Sequence, residues 1–297
     1  MPAFVLAEPA AKSMSGHLAA PYAVGSLPAP IHTIARVLTG SIDIADFESN
    51  RTIKPRTNYL TGLRAIDSPR GVARAISEGL DLEEYKAFLL SQRYKNIGFF
   101  SILNNSLSQC VYDLNKGNNT DSFVHLYRCI EFMSEACAVL YVTRQDDFVK
   151  AMSFFKTVYS HENLGAIGLL TSTCQQIADQ EQLSELTFDY IPSMFSDEHI
   201  DKLGAQLNML QIGNMEGVEF VWDPASEYRV SVAFSAVPEF ISKIRNRAYY
   251  NQSAQRNMDL YAIGGFSDLS QMLTGPTLSW FATMYFTLLR ALIIRAH

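Results

Sequence analysis

The sequence lacks the cysteine and histidine spacings of a zinc site. None of its four cysteines stands two residues from another, and no histidine pair completes a ligand set; they lie at Cys110, Cys129, Cys137 and Cys174. Three of them fall in apolar, helix-like runs, where a free cysteine behaves as a small hydrophobe. His161 and His199 occur in polar, turn-like contexts. We therefore predict no metal site, no cofactor, and free thiols in a reducing cytoplasm.

The chain also lacks an excess of positive charge and an uninterrupted membrane-spanning run. Its net charge is -6 and its pI is near 5.5, so the protein as a whole is not a polyanion binder, although a local basic patch remains compatible with nucleic acid. The apolar start is broken by Glu8 and Pro9, which argues against a secretory leader. Arg290 interrupts the long apolar run near the end, which predicts a buried helix and no stable membrane span.

Helical periodicity dominates what is present. About half of the residues (48%) are hydrophobic, which is enough for a sizeable core, and they recur at three- and four-residue steps over most of the chain beyond residue 82. We predict a mainly α fold, a helical bundle, with a small β-hairpin insertion in VEFVWDPASEYRVSVAF and a mixed, loop-rich N-terminal region. The predicted domains are 1–80, of unknown role, and 81–297, with the insertion at about 185–235.

Two features are predicted near the end of the chain. Gly264 and Gly265 lack the strand-glycine-helix context of a phosphate loop, so they predict a turn. The last helix is predicted over about 277–295, directly after a Gly-Pro pair.

The polar end of one predicted helix, in ISKIRNRAYYNQ, is the main candidate site. A helix beginning near Pro238 ends here with Arg245 and Asn246, followed by Tyr249 and Tyr250. One interpretation is structural, because cations and amides near a helix C-terminus satisfy its last carbonyl groups and tyrosines are often core or interface residues. The other is a phosphate or nucleotide contact, since guanidinium offers a forked cation.

Two segments, FVHLYRCIEFM and ISKIRNRAYY with its following apolar helix, resemble the HEPN (higher eukaryotes and prokaryotes nucleotide-binding) superfamily. The resemblance covers roughly residues 85 to 297. It implies a helical domain that pairs as a homodimer, with an arginine holding phosphate and a histidine assisting attack by the RNA 2′-hydroxyl. It implies no metal and no cofactor.

The resemblance assigns Arg245 and Asn246 to the motif and puts Tyr250 at the histidine position, with Asn251 and Gln252 as its neighbours. A tyrosine has a reference pKa of about 10 and is a poor general base at neutral pH. Possible supporting residues are Glu131, His125, Tyr249 and Asn251. Glu131 stands on an apolar stripe and needs a partner, for which Arg245 is a candidate; the pair would orient a site or hold two helices together. His125 is either a substitute base or a structural histidine.

Two functions are therefore expected. The first is an RNA- or nucleotide-directed protein of a bacterial toxin or antiviral defence system, whose reaction, if it is an enzyme, is metal-independent RNA cleavage. The second is a catalytically inactive scaffold or adaptor that assembles with a partner protein of such a system, which the missing histidine favours.

Overall fold

The structure is a computed structural model, and it confirms the mainly α prediction. It describes residues 3–7, 29–60, 82–92, 96–143, 148–160, 165–223, 227–249 and 257–296. Within these ranges there are nine α-helices and two small antiparallel sheets. The chain divides into two compact units, which we call unit 1 (Met1–Cys129 with Phe281–His297) and unit 2 (Ile130–Trp280). The domain boundary predicted near residue 80 lies outside the described residues.

Unit 1 combines a three-stranded sheet with long helices. The sheet has the order β1-β2-β3, with β1 Phe4–Ala7, β2 Asp43–Asp46 and β3 Arg51–Ile53. The helices are α1 Ala29–Leu38, α2 Leu82–Gln92, α3 Ile97–Lys116 and the first part of α4 Asn119–Thr143. Gly117 ends α3 in the left-handed conformation (φ 79°), which glycine adopts without strain. The segment IHTIARVL lies in α1, and SIDIADF contains β2.

Buried polar groups occupy part of the unit 1 core. His32 and Arg36 lie one turn apart on α1 and are both fully buried. The Arg36 Nη2 donates to the Ser41 carbonyl oxygen (2.9 Å), and His32 Nδ1 lies 3.2 Å from the Tyr85 hydroxyl. Burial, with a smaller contribution from the Arg36 charge, lowers the pKa of His32 from 6.5 to about 3. His32 is therefore neutral at physiological pH.

Unit 2 packs helices against a second sheet. Its strands are β4 Thr187–Tyr190, β5 Val218–Asp223 and β6 Glu227–Ala233, in the order β4-β6-β5. The predicted hairpin is the pair β5 and β6, while β4 was not predicted. Its helices are the remainder of α4 with α5 Phe148–Ser160, α6 Ala166–Gln180, α7 Asp197–Met209, α8 Val237–Tyr249 and the first part of α9 Phe266–Ala296.

The predicted start of the last helix is wrong. We expected it at about residue 277, after Gly275 and Pro276, but α9 begins at Phe266 and runs through Pro276 to Ala296. A proline inside a helix removes one backbone hydrogen bond. The residues on both sides of Pro276 are deeply buried, including Leu273 and Leu278, and this burial stabilises the helix across the proline.

Candidate functional site

Helix α8 presents Asn246 on the side away from its core contacts and Arg245 at the margin of its buried face. Its buried residues are Val237, Phe240, Ile241 and Ile244, which recur at the steps of three and four that define one helical face. This face packs in unit 2, where α8 contacts α6 and β6. Because consecutive residues are about 100° apart, Asn246 falls opposite the buried stripe and Arg245 at its margin. Asn246 is exposed and Arg245 half-buried.

Three polar side chains of α8 form a hydrogen-bonded series. Arg245 Nη1 donates to Asn246 Oδ1 (3.3 Å), and Asn246 Nδ2 donates to Ser242 Oγ (3.4 Å). Both bonds are long and solvent-exposed, so each contributes little to stability. They nevertheless define the orientation of the Asn246 amide, with its oxygen towards the guanidinium and its nitrogen towards the hydroxyl. We call Ser242, Arg245 and Asn246 the α8 polar face.

The charge of α8 is locally positive although the chain is acidic. Three cations, Lys243, Arg245 and Arg247, outnumber the single acid Glu239 in this helix. Glu239 Oε1 lies 2.9 Å from Lys243 Nζ, one helical turn away. Arg247 lies about 200° around the helix from Arg245, so the two guanidinium groups leave the helix on different sides. The local excess of cations makes α8 chemically suited to a phosphate ligand.

The other residues of the predicted motif are placed less completely. Tyr249 is the last residue of α8, while Tyr250 and Asn251 lie outside the described residues. Glu131 is half-buried in α4, and its backbone oxygen accepts a hydrogen bond from Ser134 Oγ (2.7 Å). Among the side chains that the structure describes, no ion pair joins Glu131 to Arg245.

His125 belongs to unit 1 and stands beside a buried carboxylate. Its Nε2 lies 3.7 Å from Asp113 Oδ2, an oxygen that also accepts a hydrogen bond from Gln109 Nε2 (3.0 Å). Burial lowers the pKa of His125, and Asp113 opposes that shift by favouring the protonated ring. Neutral imidazole, the form that can accept a proton, therefore predominates at neutral pH.

The segment that follows the undescribed 250–256 returns to α8 and then rests on α7. Met258 N donates to the Arg247 carbonyl oxygen (3.0 Å), and the Gln206 side chain forms two hydrogen bonds with the backbone of Asp259 (2.9 and 2.7 Å). Gly264 (φ 89°) and Gly265 (φ 114°) then form the predicted turn in conformations that favour glycine. The Met258 hydrogen bond gives α8 a neighbouring segment at its C-terminal end.

His199 lies at this turn, in the first turn of α7. A Cβ atom on Gly264 would be 3.1 Å from His199 Nδ1 and 2.9 Å from Asp268 Oδ2, so both side chains approach the glycine. In the described part of the chain, no cluster of three or more His, Cys, Asp or Glu side chains could hold a metal ion. All four cysteines are free and buried, and burial raises the pKa of their thiols.

Sequence reasoning missed Ser242, Lys243 and Glu239 as neighbours of the Arg-Asn pair. The signal was present, because Ser242 with Asn246 and Glu239 with Lys243 are both four residues apart and such pairs meet on a helix surface. The sequence alone did not show which side of the helix faces solvent, because that depends on how its apolar stripe is buried.

A second surface of unit 2 is apolar and exposed. Helix α5 leaves Val149, Met152 and Phe155 exposed (77, 52 and 37% of their surface), and Val139 of α4 is 62% exposed. The same two helices contact each other through Tyr141 and Phe154, whose ring centroids are 4.9 Å apart. We call the three exposed α5 side chains, Val149, Met152 and Phe155, the α5 apolar face. A group of exposed apolar side chains of this kind is typical of an interaction site.

None of the chain's described helices is both long enough and apolar enough to span a membrane.

Comparison with known proteins gives no match. No family model, no curated protein and no solved structure matches the chain.

Proposed function

We propose that this chain is a HEPN-like protein directed at RNA or a nucleotide, and that the α8 polar face is where it contacts phosphate. The observation behind the proposal is the series Arg245–Asn246–Ser242 on the solvent side of a locally cationic helix. A guanidinium can donate two parallel hydrogen bonds to phosphate oxygens, and the amide and hydroxyl beside it add further donors. The homodimeric assembly and the toxin or antiviral defence setting rest on the sequence resemblance alone.

The proposed reaction is metal-independent cleavage of the RNA backbone. The 2′-oxygen attacks the adjacent phosphorus and loses its proton, the bond from phosphorus to the 5′-oxygen breaks, and the leaving oxygen gains a proton. Arg245 stabilises the negative charge that builds up on the phosphoryl oxygens, and Asn246 orients it. The sequence resemblance makes Tyr250 the candidate for the proton transfers. The products are a 2′,3′-cyclic phosphate and a 5′-hydroxyl.

The test is incubation of the purified protein with a mixed pool of cellular RNA in EDTA. Arg245→Ala should lower the cleavage rate by about 100-fold or more, the typical cost of removing one charge-stabilising donor. Arg247→Ala is the matched control, since it removes the same charge from another side of the same helix, and it should retain cleavage. An Arg245→Ala variant that cleaves as fast as wild type would overturn the proposed reaction.

A catalytically inactive scaffold is the second candidate, and the α5 apolar face favours it. Three exposed apolar side chains on one helix suit the burial of a partner protein, and none of them belongs to the α8 polar face. If the chain is such a scaffold, it should form a stable complex with a partner protein, and that complex should not depend on Arg245.

A further inference from the structure

Lys243 stands beside the α8 polar face but is engaged by an acid. Its ammonium group lies 2.9 Å from Glu239 Oε1, and the two side chains are 43 and 49% exposed. Lys243 and Asn246 are three residues apart and therefore neighbours on the helix surface. Asn246 thus lies between the two cations, Lys243 on one side and Arg245 on the other.

We propose that Lys243 is a second phosphate-binding residue of this face and that Glu239 competes with phosphate for it. The inference rests on the proposed function, because it assumes that Arg245 contacts the first phosphate. An exposed ion pair between residues four apart is weak, so a phosphate can displace the Glu239 carboxylate from the Lys243 ammonium group. A strand with several phosphates can engage both cations, whereas a nucleoside monophosphate can engage only one.

The chain contains a matched pair for comparison. Glu198 and Lys202 in α7 are also four residues apart, also exposed, and 2.6 Å apart at their charged atoms. Both pairs lie in unit 2 and have the acid on the N-terminal side. Glu198→Gln therefore changes the net charge by the same amount as Glu239→Gln, but away from the α8 polar face.

The experiment measures binding of a fluorescent, 2′-O-methylated single-stranded oligonucleotide, which cannot be cleaved, by anisotropy over a range of salt concentrations. Glu239→Gln should bind about twofold more tightly, because phosphate no longer has to break the exposed Glu239–Lys243 ion pair, and such a pair contributes little free energy. Because Lys243 contacts phosphate in both proteins, the slope of log affinity against log salt should be the same in Glu239→Gln as in wild type. It should become shallower by about 0.7, the value for one phosphate contact on a single strand, when Lys243→Ala is added. Glu198→Gln should bind like wild type, and adding Lys243→Ala to Glu239→Gln should abolish the gain. Affinity for adenosine monophosphate should be unchanged.

The possible outcomes separate this inference from the proposed function. Binding that depends on Arg245 but is the same in Glu239→Gln and Glu198→Gln would overturn the role of Lys243 and leave the proposed function in place. Binding that is absent, or indifferent to Arg245→Ala, would overturn both. A gain confined to Glu239→Gln cannot come from damaged folding, because destabilisation weakens binding.

Discussion

Gly204 in α7 lies so close to the indole of Trp222 that we expect alanine there to destabilise unit 2. A Cβ atom at this position would be 2.5, 2.6 and 2.9 Å from three ring atoms of Trp222. The indole has little freedom to move away, because its ring also packs against Tyr228 and Phe220, with centroids 5.3 and 6.2 Å distant. The glycine therefore allows α7 to approach the sheet closely.

Two opposing effects determine the size of the change. Overpacking a close contact costs about 1–3 kcal/mol, and three approaches below 3 Å place Gly204→Ala at the upper end. Alanine recovers about 1 kcal/mol over glycine from its higher helix propensity. The net loss in the free energy of unfolding should thus be about 2 kcal/mol.

The assay is urea unfolding followed by circular dichroism, with Gly98→Ala in α3 as the control. No atom lies within 4 Å of a Cβ atom built on Gly98, so alanine there should be neutral or stabilising by up to about 1 kcal/mol. The reasoning is refuted if Gly204→Ala unfolds at the same urea concentration as wild type, or at a higher one.

Two further predictions concern the buried histidine of unit 1 and the α5 apolar face of unit 2. His32 binds its proton more weakly in the folded state, with a pKa of about 3, than in the unfolded state, with a pKa of 6.5. The free energy of unfolding should therefore fall as the pH drops from about 6.5 towards 3, and the loss should reach about 3 kcal/mol at pH 4. His32→Gln should remove that part of the pH dependence in urea unfolding at pH 7 and pH 4, and an unchanged dependence would contradict the assignment. Met152→Asp should prevent capture of a partner protein in pull-downs, while Arg245→Ala should not; equal capture by Met152→Asp and wild type would exclude the α5 apolar face as the docking site.

Local patterns predicted most of the helices. The steps of three and four in α3, α6 and α7 follow from apolar residues facing a core, and they need no knowledge of distant contacts. Strand β4 could not be predicted in this way, because its partner is distant in sequence: Asp189 pairs with Ser231. The predicted start of α9 was wrong, because the burial that stabilises α9 on both sides of Pro276 is a tertiary effect that local patterns do not show.

The candidate site was predictable in part. The Arg-Asn pair marks a polar helix end in the sequence, and the structure places it at the C-terminal part of α8. The exposure of Asn246 and its contact with Ser242 depend on how α8 is rotated against its neighbours, which only the packed structure defines. For the same reason the sequence predicts α5 as a helix but not which of its apolar residues stay uncovered.

The most direct test of the central claim, that the α8 polar face contacts phosphate, is the salt dependence of oligonucleotide binding in wild type, Arg245→Ala and Arg247→Ala. Each phosphate contacted on a single strand adds about 0.7 to the slope of log affinity against log salt. The account predicts that Arg245→Ala lowers both the affinity and the slope by one such contact, while Arg247→Ala retains both. Equal slopes for wild type and Arg245→Ala would contradict it.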